Sequence, residues 1–306
     1  MKVLFICSGN KSNGKPSILV KNQADSLIEQ GCQISFFLVA QKGVIGYLKA
    51  VFPIYRAVKK QNPTIVHAHY SLSAFAASLA ILLIIKNRPK IVVSLMGSDA
   101  QMKGWKRSLT NFFSSKIWNA TIVKSEQMAK DLGLKQFIIL PNGVQLDKFR
   151  NEESPDENKV LFAADPTRES KNIELAKKAI ELAKKEIPSL KLKVIFNVEH
   201  TEIIHEIKTS ACILSTSKWE GSPNVIKESL ACNRPIVATD VGDIAWLLAD
   251  VEGCYVTDFN PEVIAGSIVK ALNFNRKKKY TNGLEKINQL QLDSRSIAKR
   301  IMKIYE

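Results

Sequence analysis

The sequence predicts an α/β protein of two doubly wound domains, each a parallel sheet wrapped by helices. Three features carry that prediction. Short β-branched runs recur from end to end of the 306-residue chain, and they are continuously apolar, as strands buried on both faces of a parallel sheet are. Helical patterns separate them, and strands alternating with helices of about 10–15 residues are βαβ units. A polar, proline-containing segment, NEESPDEN at 151–158, interrupts the series where the charge balance also changes.

In chain order, the strand runs before that seam are KVLFIC (2–7), QISFFLV (33–39), TIVHA (64–68), KIVVSLM (90–96), ATIVK (120–124) and FIIL (137–140). After it come KVLFAA (159–164), KLKVIF (191–196), CILS (212–215), PIVAT (235–239) and CYVT (254–257). The clearest helix runs from about Asn172 to Ile187, with Ile173, Ala176, Ile180, Ala183 and Ile187 on one face. Glu174–Lys178 and Glu181–Lys185 are expected pairs on its wet side. Leu72 to Ile85 is a fourteen-residue apolar stretch, short of the roughly 20 that span a bilayer, and reads as a buried core helix. RKKKY (276–280) reads as a solvated loop. The resulting division is residues 1–150, residues 151–293, and a last helix at 294–306. Ligands of such sheets bind beyond the carboxyl ends of the strands, so the default site is a cleft between two facing domains.

Composition narrows the function classes. Hydrophobic content of 45% with 24% charged residues is that of a soluble globular protein. Five scattered cysteines without a C-x-x-C pair argue against a disulfide framework or zinc site and fit a reducing cytoplasm. The N-terminal apolar run is too short for a signal peptide. The net charge of +15 is held entirely by residues 1–150, which carry 21 Lys and Arg against 6 Asp and Glu. Such a field draws that half toward an anionic membrane surface, a nucleic acid or a phosphate-bearing substrate. No RNA- or DNA-binding motif accompanies it, so no nucleic-acid partner is expected.

One stretch, EGSPNVIKES at 220–229, carries chemistry. Ser222 and Pro223 read as the N-cap and first residue of a helix running to about Ala231. The first turn of that helix offers free N–H groups and the positive end of its dipole, both suited to a phosphate. Glu220 stands in the loop outside and Glu228 about two turns in. A ligand with a diphosphate over the helix mouth would be gripped at both ends, sugar hydroxyls at Glu220 and ribose hydroxyls at Glu228.

The block WEGSPNVIKESLACNRPIVATDVGD (219–243) resembles the E-x7-E signature of family 4 retaining glycosyltransferases of the GT-B fold. Other segments agree in order: LPNGVQLDKF (140–149), VSLMGSD (93–99), PTIVHAHYSLSA (63–74), and SRSIAKRIMKIYE (294–306), which resembles the tail helix that crosses back onto the N-terminal domain. The resemblance implies two Rossmann-like domains facing each other across a cleft, with acceptor bound by the first and sugar nucleotide by the second. It implies donor contacts at Gly221, Ser222, Pro223, Asn224, Val225 and Glu228, and at Gly14 in the loop SGNKSNGKPS (8–17). ADPTRESKN (164–172) lies where family members hold the diphosphate with an Arg and a Lys. Lys171 matches; the usual Arg position holds Asp165, and the role passes to Arg168.

The implied reaction retains anomeric configuration, uses a UDP- or GDP-sugar as co-substrate and needs no cofactor. No D-x-D occurs in the chain, which fits a metal-independent enzyme. The family's H-G-x-D histidine is replaced by Met96, which neither donates a hydrogen bond nor holds a charge. Asp99 holds the turn; either this subgroup works without that histidine, or His69 from the neighbouring strand end supplies a similar group, or activity is lost. His67 and His69 are read as facing opposite sides of their strand. Lys103, Lys106, Arg107 and Lys116 around Trp105 and Trp118 suit a membrane interface. The expectation is therefore peripheral attachment to the inner face of the cell membrane, where a lipid-linked or polysaccharide acceptor waits. A non-catalytic sugar-nucleotide-binding partner and a nucleotide-sugar epimerase remain the alternatives.

Overall fold

The computed structural model describes residues 1–10, 14–149 and 154–306. The chain divides into two compact units, Met1–Gly143 with Ser294–Glu306, and Val144–Asp293. Each is an α/β unit around one parallel sheet.

The first unit runs β1 (Lys2–Ser8), α1 (Ile18–Glu29), β2 (Gln33–Val39), α2 (Gly43–Gln61), β3 (Ile65–His69), α3 (Ser71–Leu82), β4 (Lys90–Ser94), α4 (Trp105–Lys116), β5 (Ala120–Val123), α5 (Glu126–Leu132) and β6 (Ile138–Ile139). The sheet order is β2-β1-β3-β4-β5-β6, every neighbouring pair parallel, with β1 in register against β3 from Val3–Ile65 to Ile6–Ala68. β3 is buried along its whole length, which is why its sequence shows no alternation. Leu4, Ile6, Val66, Val93, Ile54 and Phe75 share the core with Trp118. Short-range signals set the helix ends: Ser125 Oγ accepts from Met128 N at the start of α5, and Gly133 takes the left-handed conformation after its end.

The second unit runs β7 (Asp156–Ala163), α6 (Ile173–Ala183), β8 (Lys191–Ile195), α7 (His200–Lys208), β9 (Ser210–Ser215), α8 (Asn224–Ala231), β10 (Ile236–Thr239), α9 (Ile244–Leu248), β11 (Tyr255–Thr257), α10 (Pro261–Lys278) and α11 (Gly283–Gln289). Its five parallel strands are ordered β11-β10-β9-β7-β8. The apolar face of α6 packs Ile173, Ala176, Ile180 and Ala183 into the core with Phe162, Leu214 and Ile268. On its wet side the ion pairs are Glu174–Lys177 and Glu181–Lys184, one residue closer than the expected i,i+4 spacing. Asn260 caps α10 by accepting from Glu262 N and Val263 N. Residues 276–278, read as part of a loop, form the basic last turn of α10, where they complement the helix dipole.

The last helix, α12 (Ser294–Tyr305), belongs to the first unit. Ile297, Ala298, Ile301 and Tyr305 are its buried face. Tyr305 reaches the core, its hydroxyl 2.6 Å from His67 Nδ1, and Lys90 Nζ donates to its carbonyl at 3.3 Å. The division between units falls earlier than the seam read from composition, of which residues 151–153 lie outside the described residues. Val144 N donates to Leu292 O at 2.9 Å and Phe149, buried, packs edge-on against His200, so 144–149 already belong to the second unit.

Three expectations need correction. Ser222 is not a helix cap: Pro223 is extended at ψ 124, so the helix begins one residue later, at Asn224. Trp118 is core rather than surface, 6% exposed, packed on Phe75 and Phe113 and donating to Ser78 Oγ at 2.9 Å. His67 and His69 share a face and stack at 4.4 Å, because residues two apart on a strand point the same way. Among the described residues no helix is long and apolar enough to cross a membrane.

Candidate active site

In the second unit the chain runs outward from β7 to β8 and then returns to the other side of β7 to lay down β9, β10 and β11. That reversal leaves a switch point between the carboxyl ends of β7 and β9, where doubly wound sheets bind ligands. Three loops meet there. The loop after β7 carries Arg168 and Lys171, the loop after β9 carries Ser217 to Pro223, and the loop after β10 carries Asp240 to Asp243. Thr216 Oγ1 donates to Lys171 O at 3.1 Å and Asn172 O at 2.9 Å, and Lys218 N donates to Ser170 O at 2.8 Å, which ties the first two loops together. Thr239 Oγ1 donates to Ser217 O at 2.7 Å. Gly242 holds the third loop close: at φ +67, a Cβ there would lie 2.7 Å from Gly221 O and 2.8 Å from Glu220 O. Only glycine satisfies both demands.

This packing joins Lys171 to Glu220, 49 positions apart, in a part-buried ion pair. Ser217 Oγ donates to the same Glu220 oxygen at 2.8 Å. Gly221 and Pro223 are buried beside them, and Asn224 and Val225 open α8. Two turns in, Glu228 is buried and faces His200 Nε2 at 3.0 Å. The two carboxylates thus have different partners, a lysine and a histidine. Arg168 is exposed and, among the described residues, forms no ion pair, while Asp165 turns back to accept from Thr167 N and Oγ1.

Two further groups at this helix mouth escaped sequence reasoning. Burial pushes the Asp243 carboxyl up to about 6; the charge of Lys227 and the Ser222 hydroxyl hold it down, and Glu220 adds to the rise. Ser222 Oγ and both Asp243 oxygens are shielded from water, and none closes a hydrogen bond of normal geometry. Lys227 is fully buried, and burial pulls its ammonium down to about 8 against the attraction of Asp243 and Glu228. Ser222 and Asp243 are thus desolvated but incompletely satisfied, a pattern typical of functional sites. Asp243 closes the recognised 219–243 block, so a signal for it existed; nothing local in the sequence marks Lys227 or His200.

The first unit has its own switch point, between β1 and β3. Gly14 lies in the loop after β1 at φ +74, its N–H on Gly9 O at 3.3 Å. His69 ends β3, 2% exposed, and neither ring nitrogen has a partner. Burial, reinforced by the Lys124 charge, pulls its pKa down to about 3, so it is a neutral imidazole at pH 7. The next residue, Tyr70, sits at φ 81, a strained position for a non-glycine residue. Asp99 is fully buried and accepts from Met96 N at 2.7 Å and Ser71 N at 3.2 Å, which fixes the turn; burial raises its pKa to about 6 against those bonds. Met96 contributes backbone to that turn, its side chain half-buried. Among the described residues no group of three or more His, Cys, Asp or Glu is placed to hold a metal ion.

Known proteins sort this arrangement. Residues 17–148 match the family described as Glycosyltransferase Family 4, and residues 174–284 match Glycosyl transferases group 1. The chain belongs to the family 4-like glycosyltransferases. This glycosyltransferase is 22% identical over 278 residues to the teichuronic acid biosynthesis glycosyltransferase TuaC of Bacillus subtilis (strain 168), covering 80% of this chain and 70% of TuaC. Among solved structures, sucrose-phosphate synthase from Thermosynechococcus elongatus superposes with a TM-score of 0.80 at 14% identity, covering 99% of this chain and 98% of the other. HepE of Anabaena, in complex with UDP and glucose, gives 0.76 at 15% identity over 99% and 98%. TarM of S. aureus, in complex with fondaparinux, alpha-GlcNAc-glycerol and UDP, gives 0.68 at 16% identity over 85% of this chain and 59% of TarM. At these identities the structures establish the fold, which is GT-B: two Rossmann-like α/β domains.

Proposed function

We propose that this glycosyltransferase moves a sugar from a UDP- or GDP-sugar to a lipid-linked or polysaccharide acceptor in cell-surface glycan biosynthesis. In this reading it retains anomeric configuration, uses no metal or other cofactor, and works peripherally on an anionic membrane surface at the cytoplasmic side. The observation that carries it is the Lys171–Glu220 pair at the β7/β9 switch point, beside the opening of α8. The donor diphosphate would lie over the first turn of α8, with Lys171 and Arg168 meeting its charge as the leaving phosphate departs. Glu220 would face the sugar and Glu228 the ribose. Neutral His69 and the Asp99 turn would serve the acceptor side, with Gly14 near the phosphates. TuaC, named for teichuronic acid synthesis, and TarM, with UDP and a GlcNAc-glycerol, support a cell-surface glycan.

A thermal-shift panel of nucleotide sugars identifies the donor, and radiolabelled donor incubated with a membrane extract measures transfer. Glu220→Ala and Lys171→Ala should each lower transfer on the order of 100-fold or more, the scale of losing a group that stabilises developing charge. Full transfer by both variants refutes the site. An inverted anomer in the product, read by NMR, refutes retention.

A further inference from the structure

Between Glu29 and Asp99 the chain contains no acidic residue and eight Lys or Arg. α2 lies inside that stretch. Its inward face is Tyr47, Ala50, Ile54 and Val58, which are buried at helical spacing. The opposite face of such a helix is ordinarily polar. Here it carries Ile45, Leu48 and Phe52, which share one stripe at spacings of three and four and are 69%, 55% and 54% exposed. Lys49, Arg56 and Lys60 form the adjoining row and are also exposed. The Arg56 guanidinium lies 4.5 Å above the Phe52 ring, and Phe52 stacks on Tyr55 at 5.9 Å. Beside the stripe a pocket of about 210 Å³ opens between the end of β2 and α2, walled by Leu38, Ala40, Ala50 and Pro53, with Lys49 in its lining.

We propose that this face of α2 is a membrane-docking surface, with Ile45, Leu48 and Phe52 entering the acyl boundary and Lys49, Arg56 and Lys60 meeting lipid phosphates. The inference rests on the membrane-associated reading above and names the surface that performs it. Charge decides the occupant: a long acid-free stretch whose exposed helix face carries a continuous apolar stripe and a row of cations matches an anionic interface. From Ile45 to Lys60 the face extends about 22 Å, enough to lie flat on a bilayer. It also separates the docking function from Trp118, which is inside the core.

The test is co-sedimentation of the full chain with phosphatidylcholine vesicles, with and without phosphatidylglycerol, at low and high salt. The wild type binds the phosphatidylglycerol vesicles and is released by salt. Combined Lys49→Gln, Arg56→Gln and Lys60→Gln lowers the partition coefficient on the order of 100-fold. Combined Ile45→Ser, Leu48→Ser and Phe52→Ser lowers it at least about tenfold. Because all six side chains are exposed, both variants keep the wild-type melting curve. If both still bind while Trp105→Ser with Phe112→Ser does not, the α2 assignment falls and the membrane reading stands. If the wild type binds neither vesicle, both fall.

Discussion

Replacing Asp243 by Asn isolates the strain stored at the mouth of α8. The carboxyl titrates near 6 in the folded chain against 3.8 as an ordinary aspartate, net of its attraction to Lys227. A rise of roughly two units corresponds to about 3 kcal/mol. The sign follows from proton counting: between about 3.8 and 6 the folded state holds a proton that the unfolded state has lost, so stability falls as pH rises through that window. The full cost is present at pH 7.5 and absent below the unfolded value. Asn has no such cost, so the variant gains about 3 kcal/mol at pH 7.5, and the gain shrinks to about 1 kcal/mol at pH 4.5. Urea unfolding followed by tryptophan fluorescence measures it, since Trp219 and Trp246 lie in the same unit as Asp243. An equal gain at both pH values, or a loss at pH 7.5, refutes the electrostatic account.

His200→Ala removes the 3.0 Å partner of Glu228 and should weaken UDP or GDP binding about tenfold, the scale of one charge-assisted hydrogen bond. His200→Gln recovers most of that loss, and calorimetry showing an unchanged Kd for the Ala variant contradicts the proposed ribose contact. Trp118→Ala should destabilise the first unit by about 3–5 kcal/mol, as emptying a packed aromatic site does. Its binding to anionic vesicles at low temperature stays unchanged; a vesicle defect without a stability loss would return Trp118 to the membrane.

The strands were readable because a parallel sheet buries both faces, so its members appear as uninterrupted apolar runs wherever they fall. The loops and helix around the start of α8 were readable because the 219–243 block holds both carboxylates, the helix and Gly242 within one contiguous stretch. What could not be read were contacts that depend on three-dimensional closure. Lys171 meets Glu220 only because the β7 and β9 loops are stitched through Thr216 and Lys218. His200, the first residue of α7, reaches Glu228 on α8, and its neighbours in sequence give no hint of it. Trp118 was misplaced because adjacency to Lys116 does not reveal which way a side chain turns after a helix ends. The outward stripe of α2 was hidden for a related reason: a helix apolar on both sides looks, in one dimension, like one that is simply hydrophobic.

The first unit is discontinuous, its sheet made by residues up to 143 and its closing helix by residues after 293. His67 at the centre of β3 therefore waits for Tyr305, and the ribosome must pass the entire second unit before that partner exists. Until then the side chains that meet Ile297, Ala298, Ile301 and Tyr305 in the finished unit lack those partners on the nascent chain. Assembly is thus ordered from the inside of the gene product outward: the inserted unit is translated whole before its host can be sealed, and a stall between the two would leave the host exposed to chaperones and proteases.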